Sequence, residues 1–109
     1  MHRDQETTDL GRFAEPALLV LVSLASGAKH GYAIMSDVRS FSGTPIGPGT
    51  LYAVLARLEA RGMIEPLEEA DRRRPYRLTA AGAAALDAQL REMGRLMQAA
   101  RVRLPDVLS

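Results

Sequence analysis

Cysteine is absent from this sequence, which excludes a disulfide framework and a thiolate metal site. Tryptophan is absent as well, so no ligand can be sandwiched by indole rings. Histidine occurs only as His2 and His30, in unlike contexts and with no metal-ligand spacing. No run of about 18 apolar residues is present, so no transmembrane helix is expected. The opening residues, Met1 to Asp9, are polar and mixed in charge, unlike a signal peptide. No Gly-rich phosphate loop follows a strand, and no nucleophile constellation stands out. These absences fit a cytoplasmic protein that is not an enzyme and holds no metal and no cofactor.

Excess charge is missing too. Fourteen Lys and Arg against 13 Asp and Glu leave a net charge of +1, which by itself says nothing for nucleic acid. The distribution says more. Lys29 is the one lysine, and every other cationic side chain is arginine. Arg72, Arg73, Arg74 and Arg77 fall close together. A GC-rich genome would also favour arginine, so part of this bias is composition rather than chemistry. Apolar residues make up 47% of the 109, too many for a disordered chain and enough for one domain with a modest core.

The chain is organised around Ile46 to Gly62. Leu51, Leu55 and Leu58 recur at i, i+4 and i+7, one face of a helix. Gly47, Pro48 and Gly49 precede it, and Gly62 stands past its end as a C-cap. The opposite face carries Thr50, Ala53 and Arg57, a small, polar and cationic front able to enter a groove.

Residues 1–13 read as a loose leader, 14–79 as a domain and 80–109 as a C-terminal helix. Pro16 suits a first helical position, and Ala17 to Ala25 is apolar on nearly every side, so this helix is expected at the centre of the core. A second helix opens at Lys29-His30-Gly31-Tyr32 and runs to about Ser40, burying Ile34, Val38 and Phe41. His30 and Tyr32 are expected as cap and core. Three short helices with tight turns make a helix-turn-helix unit. Met63 to Glu69 can form an edge strand, where Pro66 is tolerated. Ala70 to Pro75 reads as a hairpin tip and Tyr76 to Thr79 as the return strand. The expected fold is therefore mainly α with a small β-hairpin: a winged helix-turn-helix plus one long C-terminal dimerisation helix.

That last helix has Thr79 as N-cap and is expected to stop at Leu104, before Pro105. Leu86, Leu90, Met93, Met97, Ala100 and Leu104 are spaced 4, 3, 4, 3, 4, a heptad seam. At 1.5 Å per residue the helix is roughly 37 Å long, more than the small domain can cover. The seam is expected to meet a second copy of the chain; the alternative is a helix folded back on its own domain.

In order, the first helix, His30-Gly31-Tyr32, Gly49-Thr50-Leu51-Tyr52, Leu55, Leu58-Glu59, Gly62, Ile64, Tyr76-Arg77-Leu78-Thr79 and Gly82 resemble the PadR-like family of transcriptional regulators. The resemblance spans about residues 15–86. It looks like the small subfamily with one dimerisation helix per chain. It departs where the family often has serine (here Gly47) and proline (here Ala53). The resemblance implies a homodimeric repressor on double-stranded DNA with a palindromic operator, released in some members by a small hydrophobic or phenolic effector.

On this architecture the third helix enters the major groove and the wing lies on the flanking backbone or minor groove. Pro48, Gly49, Thr50 and Ala53 allow close approach, and the free N–H groups there favour phosphate. Tyr52 either donates to a phosphate or packs on the second helix. Arg57 lies a turn or two further along. Arg72, Arg73 and Arg74 repel one another unless they are solvated or meet an anion. Arg77 can extend that patch, and Lys29 can touch phosphate. Glu65, Glu68, Glu69 and Asp71 cluster without a metal-ligating histidine and read as a solvated face. Met93 and Met97 are adaptable and serve either as seam core or against an effector. The competing function is a winged helix used for protein interaction or dimerisation, with no DNA role.

Overall fold

The computed structural model describes residues 16–109; the expected leader lies outside them. Helix α1 spans Pro16–Ala25, strand β1 Lys29–His30, α2 Gly31–Ser42, α3 Pro48–Ala60, β2 Ile64–Pro66, β3 Pro75–Leu78 and α4 Ala80–Leu108. The three antiparallel strands lie in the order β1-β3-β2.

Helix α1 is apolar around its whole circumference because it is enclosed. Leu19, Val20, Leu21 and Leu24 are buried and join Ile34 and Val38 of α2, Leu51, Val54, Leu55 and Leu58 of α3, Ile64 and Leu86 in one core. Phe41, expected on the buried face of α2, is instead exposed at 45%. It falls in the last turn of that helix, outside the packed core. Tyr32 is also exposed, at 68%, so it is not a core residue. His30 does cap α2, with Nδ1 accepting from the Ala33 N–H at 3.3 Å.

The end of α3 shows why Gly62 is there. Met63 N–H donates to Leu58 C=O at 3.0 Å and Gly62 N–H to Glu59 C=O at 2.9 Å, the paired bonds of a Schellman ending. Gly62 takes φ +73°, which L side chains adopt only at a cost. The turn leads straight into β2. Thr79 ties it to α4: its Oγ1 donates to Gly62 C=O at 2.6 Å and accepts from Gly82 N–H at 3.0 Å.

Two expectations need correcting. The sheet has three strands, not two. Lys29–His30 pairs with Tyr76 and Pro75 on the far side of β3 from β2, leaving β2 with Pro66 at a free edge. Helix α4 does not stop at Pro105 but runs on to Leu108. Proline removes one N–H from the ladder, and this near the end the final turn still closes, through Ser109 N–H to Pro105 C=O at 3.0 Å. The 29-residue helix is thus about 43 Å long. Only Gly82 and Leu86 of it are buried.

Candidate nucleic-acid interface

Helix α3 starts without a side-chain cap. Gly47 is the N-cap residue, in extended backbone, and Pro48 occupies the first turn. Pro48, Gly49, Thr50, Tyr52, Ala53 and Arg57 are all exposed, while the leucine face is sealed into the core. Neither Gly47 nor Gly49 has a positive φ, and a Cβ on either would touch nothing within 4 Å. Nothing inside the chain requires these residues to be small.

Across β2 and β3 the hairpin closes in a two-residue turn, with Ala70 and Arg73 exchanging both backbone hydrogen bonds at 2.9 Å. Asp71 and Arg72 take φ +51° and +63°, the left-handed pair of a type I′ turn. Asparagine or glycine suits these positions; arginine costs about 1 kcal/mol or more there. Arg72 is held in that backbone with its side chain exposed.

The wing folds back toward the helices. A cleft of about 190 Å³ lies between them, walled by Arg72, Arg73 and Arg74 on one side and by His30, Tyr32 and Tyr52 on the other. Gly31 and Tyr76 also line it. The Tyr52 ring packs on α2, so close that a Cβ on Gly31 would fall 2.5 Å from the Tyr52 hydroxyl oxygen. Yet Tyr52 is 53% exposed, so packing on α2 and facing outward are compatible. Burial pushes the Tyr76 phenol above its usual range, helped by Glu59 and opposed by Arg74. It therefore remains a neutral O–H donor at physiological pH.

The structure does not bring every expected residue to this face. Lys29 Nζ donates to Ser23 C=O at 2.5 Å, to Ser26 Oγ at 2.7 Å and to Gly27 C=O at 3.3 Å. It closes the C-terminal end of α1, with the Asp37 carboxylate 3.9 Å away. Asp37 in turn accepts from the buried Ser23 hydroxyl at 2.7 Å. Arg77 alternates outward, as expected, but donates from Nε to Glu65 Oε2 at 2.7 Å across the strand pair. Both cations are thus engaged within the chain, away from the cleft. Arg74 spends one donor on Leu67 C=O at 2.7 Å. Tyr76 was not among the expected site residues. Its only sequence signal was the inward phase it shares with Leu78, which reads equally well as core.

Along α4, Leu86 belongs to the core of its own chain, at 6% exposure, while Leu90, Met97 and Leu104 stand at 46%, 53% and 47%. Met93 and Ala100 are half-buried. Val107 and Leu108 continue the stripe past Pro105 and are exposed. A groove of about 370 Å³ runs between α1 and α4, lined by Leu18, Leu21, Met63, Leu86 and Met93 among others. Among the described residues no helix is long and apolar enough to cross a membrane.

The model of the transcriptional regulator PadR-like family matches residues 20–88. The chain belongs to this family. Its PadR-like portion thus runs from the middle of α1 through the wing to the inner end of α4. The chain is 47% identical over 85 residues to a 37.1 kDa protein in a transposon of Streptomyces fradiae, covering 78% of this chain and 25% of that one. It is 35% identical over 75 residues to the transcriptional activator GvpE2 of Halobacterium salinarum, covering 69% of this chain and 38% of that one. It therefore spans well under half the length of these two relatives. The solved structure of a transcriptional regulator from Clostridium thermocellum superposes with a TM-score of 0.73 at 26% identity, over 88% of this chain and 95% of that one. PadR-like membership and the superposed structure give the chain a winged-helix fold.

Proposed function

We propose that the protein is a homodimeric, sequence-specific DNA-binding repressor that covers a palindromic operator. The observation that carries this reading is the cleft in which Tyr52 of α3 meets the Arg72–Arg74 turn, beside an α3 front of small residues that is exposed. Pro48, Gly49, Thr50, Ala53 and Arg57 enter the major groove, Tyr52 borders it, and the wing arginines meet the flanking backbone. Lys29 is left out because it is engaged inside the chain, and Arg77 because it pairs with Glu65 and does not line the cleft. Few side chains reach base edges, so specificity leans on half-site spacing and DNA shape.

Pairing through α4 supports the dimer. Among the described residues, seven of the ten exposed large apolar side chains, from Leu90 to Leu108, lie on this one helix. A helix in a protein draws most of its stability from packing its apolar face, and a second copy offers the same stripe in return. The repressing role is tested in a transcription assay with the operator upstream; stimulation would place the chain with its relative named as an activator.

The DNA reading is tested by titrating promoter duplexes at increasing salt. Arg72, Arg73 and Arg74 replaced together by alanine are expected to weaken binding about a hundredfold at low salt and to lower the salt slope by about one for each phosphate no longer neutralised. No binding by the parent protein at low salt would leave the protein-interaction reading instead. Lys29→Met is expected to leave the salt slope unchanged while lowering stability by about 1 kcal/mol, because the C-terminal carbonyls of α1 lose their cation. A lowered slope would return Lys29 to the DNA face. Release by a small apolar effector is read in the same titration with candidate compounds added; the groove between α1 and α4 is where such a compound would touch both helices.

A further inference from the structure

His30 is asked for two things that one neutral imidazole cannot give. Its Nδ1 lies 3.3 Å from the Ala33 N–H, a donor. Its Nε2 lies 3.2 Å from Arg73 Nη1, also a donor. A neutral ring has one acceptor nitrogen and one N–H. The Ala33 amide is fixed at the start of α2 and has no intrahelical partner; Arg73 is exposed and water can serve it. The amide therefore takes the acceptor, and the ring carries its proton on Nε2. That leaves an N–H and a guanidinium facing each other across 3.2 Å, with no acceptor between them. The remaining cleft walls bring two more guanidiniums, Arg72 and Arg74, and the hydroxyls of Tyr32, Tyr52 and Tyr76, but no carboxylate. Asp71 lies in the adjoining hollow beside Arg73 and His30.

The geometry points to a phosphate oxygen as the missing partner: His30 Nε2–H and Arg73 Nη1–H form a two-donor seat for a phosphate oxyanion, supplied by the DNA backbone. This assignment rests on the DNA reading above and adds to it a residue, His30, that clamps backbone between the start of α2 and the wing. One oxyanion placed between the donors turns an unfavourable contact into two hydrogen bonds, both charge-assisted by the anion and the Arg73 one by the guanidinium as well.

The test uses the full chain labelled with ¹⁵N-histidine, with His2 as the internal control. The free protein is expected to show His30 unprotonated at Nδ1 and protonated at Nε2; the opposite tautomer would overturn the seat. Inorganic phosphate is expected to move the His30 ring resonances, not those of His2, and to lose this effect in Arg73→Ala. On duplex DNA, His30→Asn keeps the α2 cap, since asparagine is among the best N-cap residues, but its shorter side chain does not reach the phosphate. It is expected to bind roughly tenfold more weakly with an unchanged melting temperature and an unchanged salt slope, because the donor removed is neutral. Arg73→Ala is expected to lower the slope, and the double variant to lose less than the product of the two single losses. Duplex binding undiminished by His30→Asn, with no ring response to phosphate, would overturn the seat and leave the DNA reading standing. A ring response in a protein that binds no duplex would keep the seat for a free phosphate group and overturn its DNA source.

Discussion

Gly82→Ala is expected to lower the melting temperature by at least about 10 °C, measured at equal protein concentration. A Cβ built at Gly82 falls 1.9 Å from the backbone oxygen of Met63 and 2.8 Å from its carbonyl carbon. No rotamer relieves this, because both partners are main chain. Alanine gains about 1 kcal/mol of helix propensity over glycine. Forcing α4 away from β2 costs more. It strains Thr79 N–H to Met63 C=O at 3.1 Å and the Thr79 cap on Gly82 itself, and it lifts Leu86 from the core. Overpacking typically costs about 1–3 kcal/mol and more where backbone must move. A net loss of about 3 kcal/mol in a domain of this size corresponds to roughly 12–24 °C. Gly94→Ala is the control. A Cβ there meets nothing within 4 Å, so the same substitution is expected to stabilise by up to about 1 kcal/mol. Equal effects at the two positions would mean that α4 slides freely over Met63.

The second large effect concerns Leu90→Asp. Leu90 is 46% exposed in the single chain, so the variant folds, and far-UV circular dichroism is expected to change little. In the proposed dimer the side chain is buried twice, once per copy. Losing its burial costs about 2 kcal/mol per copy, and desolvating two carboxylates adds to this. At about 4 kcal/mol or more per dimer, the dissociation constant rises at least about a thousandfold. Sedimentation at micromolar concentration should then show monomers where the parent chain sediments as a dimer. Duplex affinity should fall with it, because a single half-site remains. A variant that still sediments as a dimer would show that α4 pairs by another face or not at all.

Periodicity carried most of the helical fold. The leucine face of α3, the enclosed α1 and the caps at Gly62 and Thr79 were all legible, because each depends on residues three or four positions apart. Strand β1 was not. Two residues between Ser26 and α2 have no period, and Lys29–His30 is extended only because β3 lies beside it. Phe41 was misplaced for a related reason: helical phase names a face but not how far along the helix that face is packed, and Phe41 lies in the last turn, outside the core. Pro105 was read as a stop from its chemistry alone, whereas a proline close to a helix end removes only one bond.

The site divides the same way. Its cationic wing and the small residues before Leu51 stand in the sequence as local facts, and the family order of motifs followed from them. Which arginines remain free did not. Arg77 meets Glu65 and Lys29 closes α1 because strand register and the packing of α1 bring together residues far apart or differently oriented in the chain. His30 shows this most clearly. From sequence it is a helix cap; only the fold of the wing across α2 sets Arg73, 43 positions later, against its other nitrogen. Local spacing determined the elements, their caps and the amphipathic stripe of α4. Tertiary packing decided which charges are neutralised within the chain and which donors are left facing outward, since that depends on distances through space that no spacing along the chain records.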